Sequence, residues 1–146
     1  MILKPIGTIH TPFNTQSDTP IQPFFSKGAR GTVELNTDLT EGLSDLGGFS
    51  HIYLIYQFHL SEGYDLKVVP FLDEEERGVF ATRAPRRPNP IGISVVKLLN
   101  INDNILEVEN VDMVDGTPLL DIKPYVSSFE PSEDEKNGWL DEKIKK

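Results

Sequence analysis

Arg83, Arg86 and Arg87 sit in a proline-locked segment, Arg83-Ala84-Pro85-Arg86-Arg87-Pro88-Asn89-Pro90-Ile91-Gly92. Each proline fixes its own φ and turns the residue before it away from the helical region, so the segment must be stiff and non-helical. Stiffness lowers the entropy lost when an arginine grips a ligand. The guanidinium offers a planar fork of donors suited to carboxylates and phosphates. The same segment also reads as a rigid surface loop whose arginines balance the acidic run Asp73-Glu74-Glu75-Glu76. Exposed ion pairs of that kind contribute little to stability. Composition leaves both readings open.

A second chemical segment runs from Glu109-Asn110-Val111-Asp112 through Asp115-Gly116-Thr117-Pro118 to Asp121-Ile122-Lys123-Pro124-Tyr125. Asp115-Gly116 reads as a tight turn. Asp121 and Lys123 are two apart on a strand, hence on one face, where they can pair. The aspartate spacing does not match a calcium loop. Of the three histidines, His10, His51 and His59, none falls in a paired metal motif, and no metal is expected. His51 reads as a core histidine on a strand. His59 closes the most apolar strand beside Leu60-Ser61-Glu62-Gly63, where sites tend to be built. Nucleophile-elbow, phosphate-loop and dinucleotide signatures are absent.

The chain has 146 residues, no cysteine and a formal charge of −9. Disulfide scaffolds, cysteine-based zinc sites and thiol nucleophiles are excluded. The acidic balance argues against indiscriminate nucleic-acid binding, yet a local basic cluster on an acidic body can still select one anionic partner. The start, Met1-Ile2-Leu3-Lys4-Pro5, breaks at proline before a signal-like run develops, and no stretch approaches a membrane helix. A soluble, cytoplasmic protein is expected.

These residues need a scaffold. Strands are expected over Ile2 to His10, Gly31 to Leu35, Phe49 to His59, Leu66 to Phe71, Arg77 to Ala81, Ile93 to Leu99, Ile105 to Val111 and Leu119 to Pro124. Phe49 to His59 is apolar enough to predict a central strand buried on both sides. Leu39, Leu43 and Leu46 predict one short helix ended by Gly47-Gly48. Asn14 to Lys27 is a long loop carrying Gln22-Pro23-Phe24. The expected architecture is all-β, a compact non-Rossmann barrel over residues 1–129, followed by a charged tail over 130–146. In that tail Trp139, Leu140 and Ile144 form either a docking face or part of a loosely ordered terminus.

Gly78-Val79-Phe80-Ala81-Thr82-Arg83 running into Arg87-Pro88-Asn89-Pro90-Ile91-Gly92-Ile93-Ser94 resembles the signature of the TsaA-like (TrmO) methyltransferases, as does Asp115-Gly116-Thr117-Pro118 followed by Asp121-Ile122-Lys123-Pro124-Tyr125. Ile6-Gly7, Thr11-Pro12, Gln22-Pro23, Gly42-Leu43 and Phe49-Ser50-His51 extend the likeness over nearly the whole chain. The resemblance implies a homodimeric barrel enzyme that uses S-adenosylmethionine, without a Rossmann fold or a metal. It would methylate the exocyclic nitrogen of threonylcarbamoyladenosine beside the tRNA anticodon. Cofactor positions carry over to Gln22, Pro23, Phe24, His59, Leu60, Ser61, Arg83, Ile93, Glu109, Asn110, Val111 and Asp112. Candidate bases are His59, Asp112 and Asp115. Arg86, Arg87, Asn89, Lys123 and Tyr125 would face the substrate, an arginine or Lys123 taking its threonyl carboxylate. Some relatives carry a further C-terminal domain, for which this sequence is expected to be too short, and some are apolar where this chain has Arg86. A regulatory module that binds S-adenosylmethionine or an adenine nucleotide without catalysis, and a small-molecule methyltransferase, are the alternatives.

Overall fold

Period-two alternation builds one closed surface from six strands. In chain order the strands are β1 (Gly7–His10), β2 (Arg30–Leu35), β3 (His51–Gln57), β4 (Lys67–Val68), β5 (Arg77–Gly78), β6 (Ile91–Asn102), β7 (Ile105–Glu109) and β8 (Thr117–Pro124). The structure is a computed structural model and describes residues 1–22 and 25–143. Antiparallel pairing in the order β1-β2-β7-β6-β3-β8 closes through β8 onto β1, so the expected all-β barrel is borne out. Closure removes the exposed strand edges that an open sheet must protect.

The inward positions are Ile9, Val33, Leu35, Ile52, Leu54, Tyr56, Val96, Leu106, Val108 and Leu119, all buried. Burying each large apolar side chain contributes about 1.5–3 kcal/mol, which is why the parity is obligatory. The strand predicted over Phe49 to His59 is shorter and buried on one face only. Ile52, Leu54 and Tyr56 point in, while His51, Tyr53 and Ile55 are half-buried on the outer face. Aromatic and β-branched residues on both faces had disguised a barrel strand as a central one. His51 therefore belongs to the outer surface, not the core; its Nδ1 lies 2.8 Å from Ser50 Oγ. The predicted short helix is instead a pair of 3₁₀ segments, Thr37–Leu43 and Leu46–Gly48, separated by Asp45 at φ 69°. The strand predicted over Arg77 to Ala81 stops at Gly78, and Val79–Ala81 forms a 3₁₀ turn that buries Val79.

The chain divides into two compact units: Met1–Leu60 with Ile91–Tyr125, which holds the barrel, and Ser61–Pro90 with the residues from Val126 onward. In the second unit β4 pairs with β5 across the acidic turn. Asp73 organises that turn. Its Oδ1 accepts from the backbone of Glu74 at 2.8 Å and Glu75 at 3.3 Å, and its Oδ2 accepts from Arg77 Nε at 2.5 Å. Tail residues dock within this unit: Trp139 Nε1 donates to the Ala81 carbonyl at 2.8 Å, and Arg77 lies 5.5 Å from the Trp139 ring centre.

Gly7 sits between β2 and β8, where a Cβ would collide with the Glu34 carbonyl oxygen, whereas a Cβ on Gly42 meets nothing within 4 Å. Gly7→Ala is expected to cost about 1–3 kcal/mol by overpacking, and Gly42→Ala about 0.5 kcal/mol or less, measured by urea denaturation. The Arg77 hydrogen bond, followed by the backbone donors of Glu74 and Glu75, outweighs desolvation and holds the Asp73 carboxyl well below its ordinary 3.8, at about 2. A depressed carboxylate stabilises the folded state above its unfolded value and loses that contribution as pH falls through the folded one. Asp73→Asn should therefore destabilise the protein near pH 6, with the difference from wild type shrinking between pH 4 and 2 in denaturation curves.

Candidate functional site

At the end of β7 the chain leaves the barrel wall abruptly. Asn110 takes a left-handed φ of 74°, a conformation that asparagine tolerates better than most residues. This turn aims the Asn110 and Val111 amides at one acceptor, the Ala29 carbonyl, at 2.7 and 3.2 Å. The stretch from Phe25 to Ala29 is thereby pinned against Glu109 to Asp112. Val111, Asp112 and Met113 are then buried, Asp112 to 6% exposure.

A carboxyl group at that depth needs hydrogen bonds. Ser94 Oγ donates to Asp112 Oδ1 at 2.5 Å, and the Tyr56 hydroxyl lies 2.8 Å from the same Ser94 oxygen. Ser94 faces inward from β6, opposite Leu54 on β3. Gly92, two residues earlier on the same face, has no room for a Cβ, which would lie 2.5 Å from the Tyr56 ring and 2.8 Å from Phe58. Tyr56 and Phe58 meet edge to face, their centroids 5.5 Å apart. In Ile91-Gly92-Ile93-Ser94, then, the glycine admits the tyrosine ring and the serine meets the buried carboxyl. Ile93 points outward, 45% exposed, opposite Ile55.

The remaining predicted residues fall in several places. Gln22 is half-buried and its carbonyl accepts from Phe25 N at 2.9 Å, while Pro23 and Phe24 lie outside the described residues. His59 and Leu60 are exposed in the turn after β3, which ends at Gln57 and not at His59. Asp115 is tied to β1 and the loop after it. Its Oδ1 accepts from Thr11 N at 2.9 Å, and its own amide donates to the Phe13 carbonyl at 2.7 Å. Lys123 pairs with Asp121 at 3.3 Å, as their shared face predicts. Tyr125 packs edge-on against Tyr53 at 5.6 Å and His51 at 6.2 Å.

Within the second unit Ser61 Oγ is buried and has no hydrogen-bond partner. Arg87 Nη1 donates to the carbonyls of Thr82 at 2.9 Å and Ala84 at 3.1 Å, tightening the proline-locked segment from within. Arg86 is exposed, with Nε donating to the Glu62 carbonyl at 3.2 Å and Nη1 3.3 Å from Asp65. Arg83 and Asn89 are also exposed.

Three residues escaped the sequence reading. Tyr56 and Ser94 are polar side chains at inward positions of apolar strands, and that parity was the available signal. Ser26 carries a buried hydroxyl with no partner, and nothing in its loop sequence marks it. A cleft of about 690 Å³ lies elsewhere, lined by Leu39, Leu46, Phe49, Asp38, Glu41 and Asp45 among others, and none of the predicted site residues lines it. Among the described residues no three His, Asp or Glu side chains converge as a metal site, and no helix is long and apolar enough to cross a membrane.

Residues 8–131 match the family of tRNA-methyltransferase O N-terminal domains. The chain belongs to the TrmO family. A probable S-adenosyl-L-methionine-binding protein of Pyrococcus abyssi is 53% identical over 98% of this chain and 78% of its own length. The mouse tRNA (adenine(37)-N6)-methyltransferase is 34% identical over 89% of this chain, which spans 32% of that enzyme. A crystal structure of TrmO from Pseudomonas aeruginosa superposes with a TM-score of 0.79 at 40% identity, covering 94% of this chain and 61% of its own. The chain thus spans less than two thirds of the solved TrmO structure, and the likeness covers both units described above.

The TrmO signature Asp115-Gly116-Thr117-Pro118 has a measurable structural part. Asp115→Asn keeps an oxygen for Thr11 N and should leave stability within about 0.5 kcal/mol of wild type, whereas Asp115→Ala should cost about 1 kcal/mol. Thermal denaturation of the two variants checks the difference.

Proposed function

We propose that this TrmO-family barrel is an S-adenosylmethionine-dependent methyltransferase acting on threonylcarbamoyladenosine beside the tRNA anticodon. The observation that carries the reading is the buried Asp112 carboxyl, held by Ser94 on a segment pinned to the Phe25–Ala29 loop. Relatives are named for binding S-adenosylmethionine and for methylating the N6 of adenine 37 in tRNA, which supports both halves of the proposal.

The residues fit a cationic, hydrogen-bonding cofactor. Asp112 supplies an acceptor that is an anion when ionised, and the orphaned hydroxyl of Ser26, in the same unit, supplies a donor. Bound S-adenosylmethionine would supply a methyl group activated by the sulfonium to which it is attached. The protein's own task is alignment of acceptor and methyl, which by itself is worth many kcal/mol. The acceptor nitrogen must also lose its proton, and the neighbouring carbonyl of the substrate acidifies that N–H, so a modest base suffices. Among the candidates His59 and Asp115 are exposed, but Asp115 Oδ1 already accepts from Thr11 N, and Asp112 is buried against Ser94. We therefore favour His59 as the base.

Arg86 is the arginine best suited to the substrate carboxylate, because its present partners are exposed and easily exchanged, while Arg87 spends its donors on the loop itself. We further infer a homodimer working in the cytoplasm. Phe71, Phe80 and Phe129 of the second unit, each at least 75% exposed, offer the kind of apolar surface that self-association covers.

Calorimetric titration should show S-adenosylmethionine binding to wild type and weakening about tenfold or more in Asp112→Asn. Arg86→Ala should leave that affinity unchanged while lowering kcat/KM on threonylcarbamoyladenosine-bearing tRNA about tenfold, read by mass spectrometry of the nucleosides. Methylation of unmodified tRNA at an equal rate would overturn the choice of substrate.

A further inference from the structure

We propose that Tyr56 and Ser94 are positioning residues, a two-hydroxyl relay that fixes Asp112 as the anionic anchor for the cationic part of the cofactor. The inference rests on the cofactor reading above and assigns roles to two residues outside the family's expected contacts.

The direction of the relay follows from counting protons. A serine hydroxyl has one proton to donate. Ser94 commits it to Asp112 Oδ1 at 2.5 Å, so the bond of 2.8 Å between Ser94 and Tyr56 must have the tyrosine as donor. Both dipoles therefore point at the carboxyl, and hydrogen bonds in series strengthen one another. A separation of 2.5 Å is at the short end of O–H···O hydrogen bonds. The three groups are 3%, 2% and 6% exposed, so neither hydroxyl is there to meet water.

The surroundings fix the relay mechanically as well. Tyr56 and Ser94 stand on the paired strands β3 and β6, and Gly92 and Phe58 confine the tyrosine ring. The carboxyl plane is thus set by two strands of a closed barrel, while the backbone carrying Asp112 is set by Ala29. A carboxylate already oriented for a cationic group loses little entropy on binding it.

The test is calorimetric binding of S-adenosylmethionine to the full chain, with melting temperature measured alongside. Tyr56→Phe and Ser94→Ala should each weaken binding about fivefold to twentyfold. The double variant should be no weaker than Ser94→Ala, because both hydroxyls act through one carboxylate. Ser94→Thr, which keeps the donor, should restore most of the affinity. Folded Tyr56→Phe and Ser94→Ala proteins that bind as wild type would overturn the relay alone, as would losses that simply add in the double variant. Absence of binding by wild type would overturn the cofactor reading and this inference with it.

Discussion

Closing six short strands into a barrel forces every residue on them to face either a crowded interior or the outside, with no intermediate choice. The interior is narrow enough that glycines are required where backbone meets backbone at Gly7, and where a tyrosine ring must fit at Gly92. Any polar group on the inward parity then has to find its partner inside. Ser94, Tyr56 and Thr117 are such groups, and each is satisfied, Thr117 by the Val114 carbonyl at 2.5 Å. The buried Asp112 depends on this constraint, since its serine partner is delivered by strand parity and not by a mobile loop.

The arginine segment obeys a different logic. Its prolines remove conformational freedom, and Arg87 removes more by bonding to the carbonyls of Thr82 and Ala84. A segment first read as either a ligand clamp or a salt-bridged loop is in part its own brace. Rigidity obtained this way leaves Arg86 as the group whose contacts are exchangeable at little cost, because exposed pairs such as Arg86 with Asp65 contribute little.

Much of the architecture was legible in the sequence because period-two alternation and turn residues are local signals. β2, β7 and β8 begin and end within a few residues of their expected limits, and the acidic turn from Asp73 to Glu76 separates β4 from β5. The failures are physical too. Leu39, Leu43 and Leu46 carry helical spacing, but seven residues from Thr37 with Asp45 in a left-handed conformation leave room only for 3₁₀ turns. Phe49 to His59 was misread as doubly buried because composition cannot show that a sheet closes on itself. Of the site, Asp112 was visible as a carboxylate in a distinctive segment. Its partners on β3 and β6 were not, since the contact spans 18 residues in one direction and, through Ser94, 38 in the other.

Trp139 is the chain's sole tryptophan, and its indole is held by Ala81, two residues before Arg83, with a guanidinium over the ring. Indole emission is sensitive to such a neighbouring charge and to loss of that hydrogen bond. The protein therefore carries a native optical reporter confined to the second unit and adjoining its arginine segment. Comparing that signal with the far-ultraviolet dichroism of the strands would distinguish events at the arginines from events in the barrel, without a label.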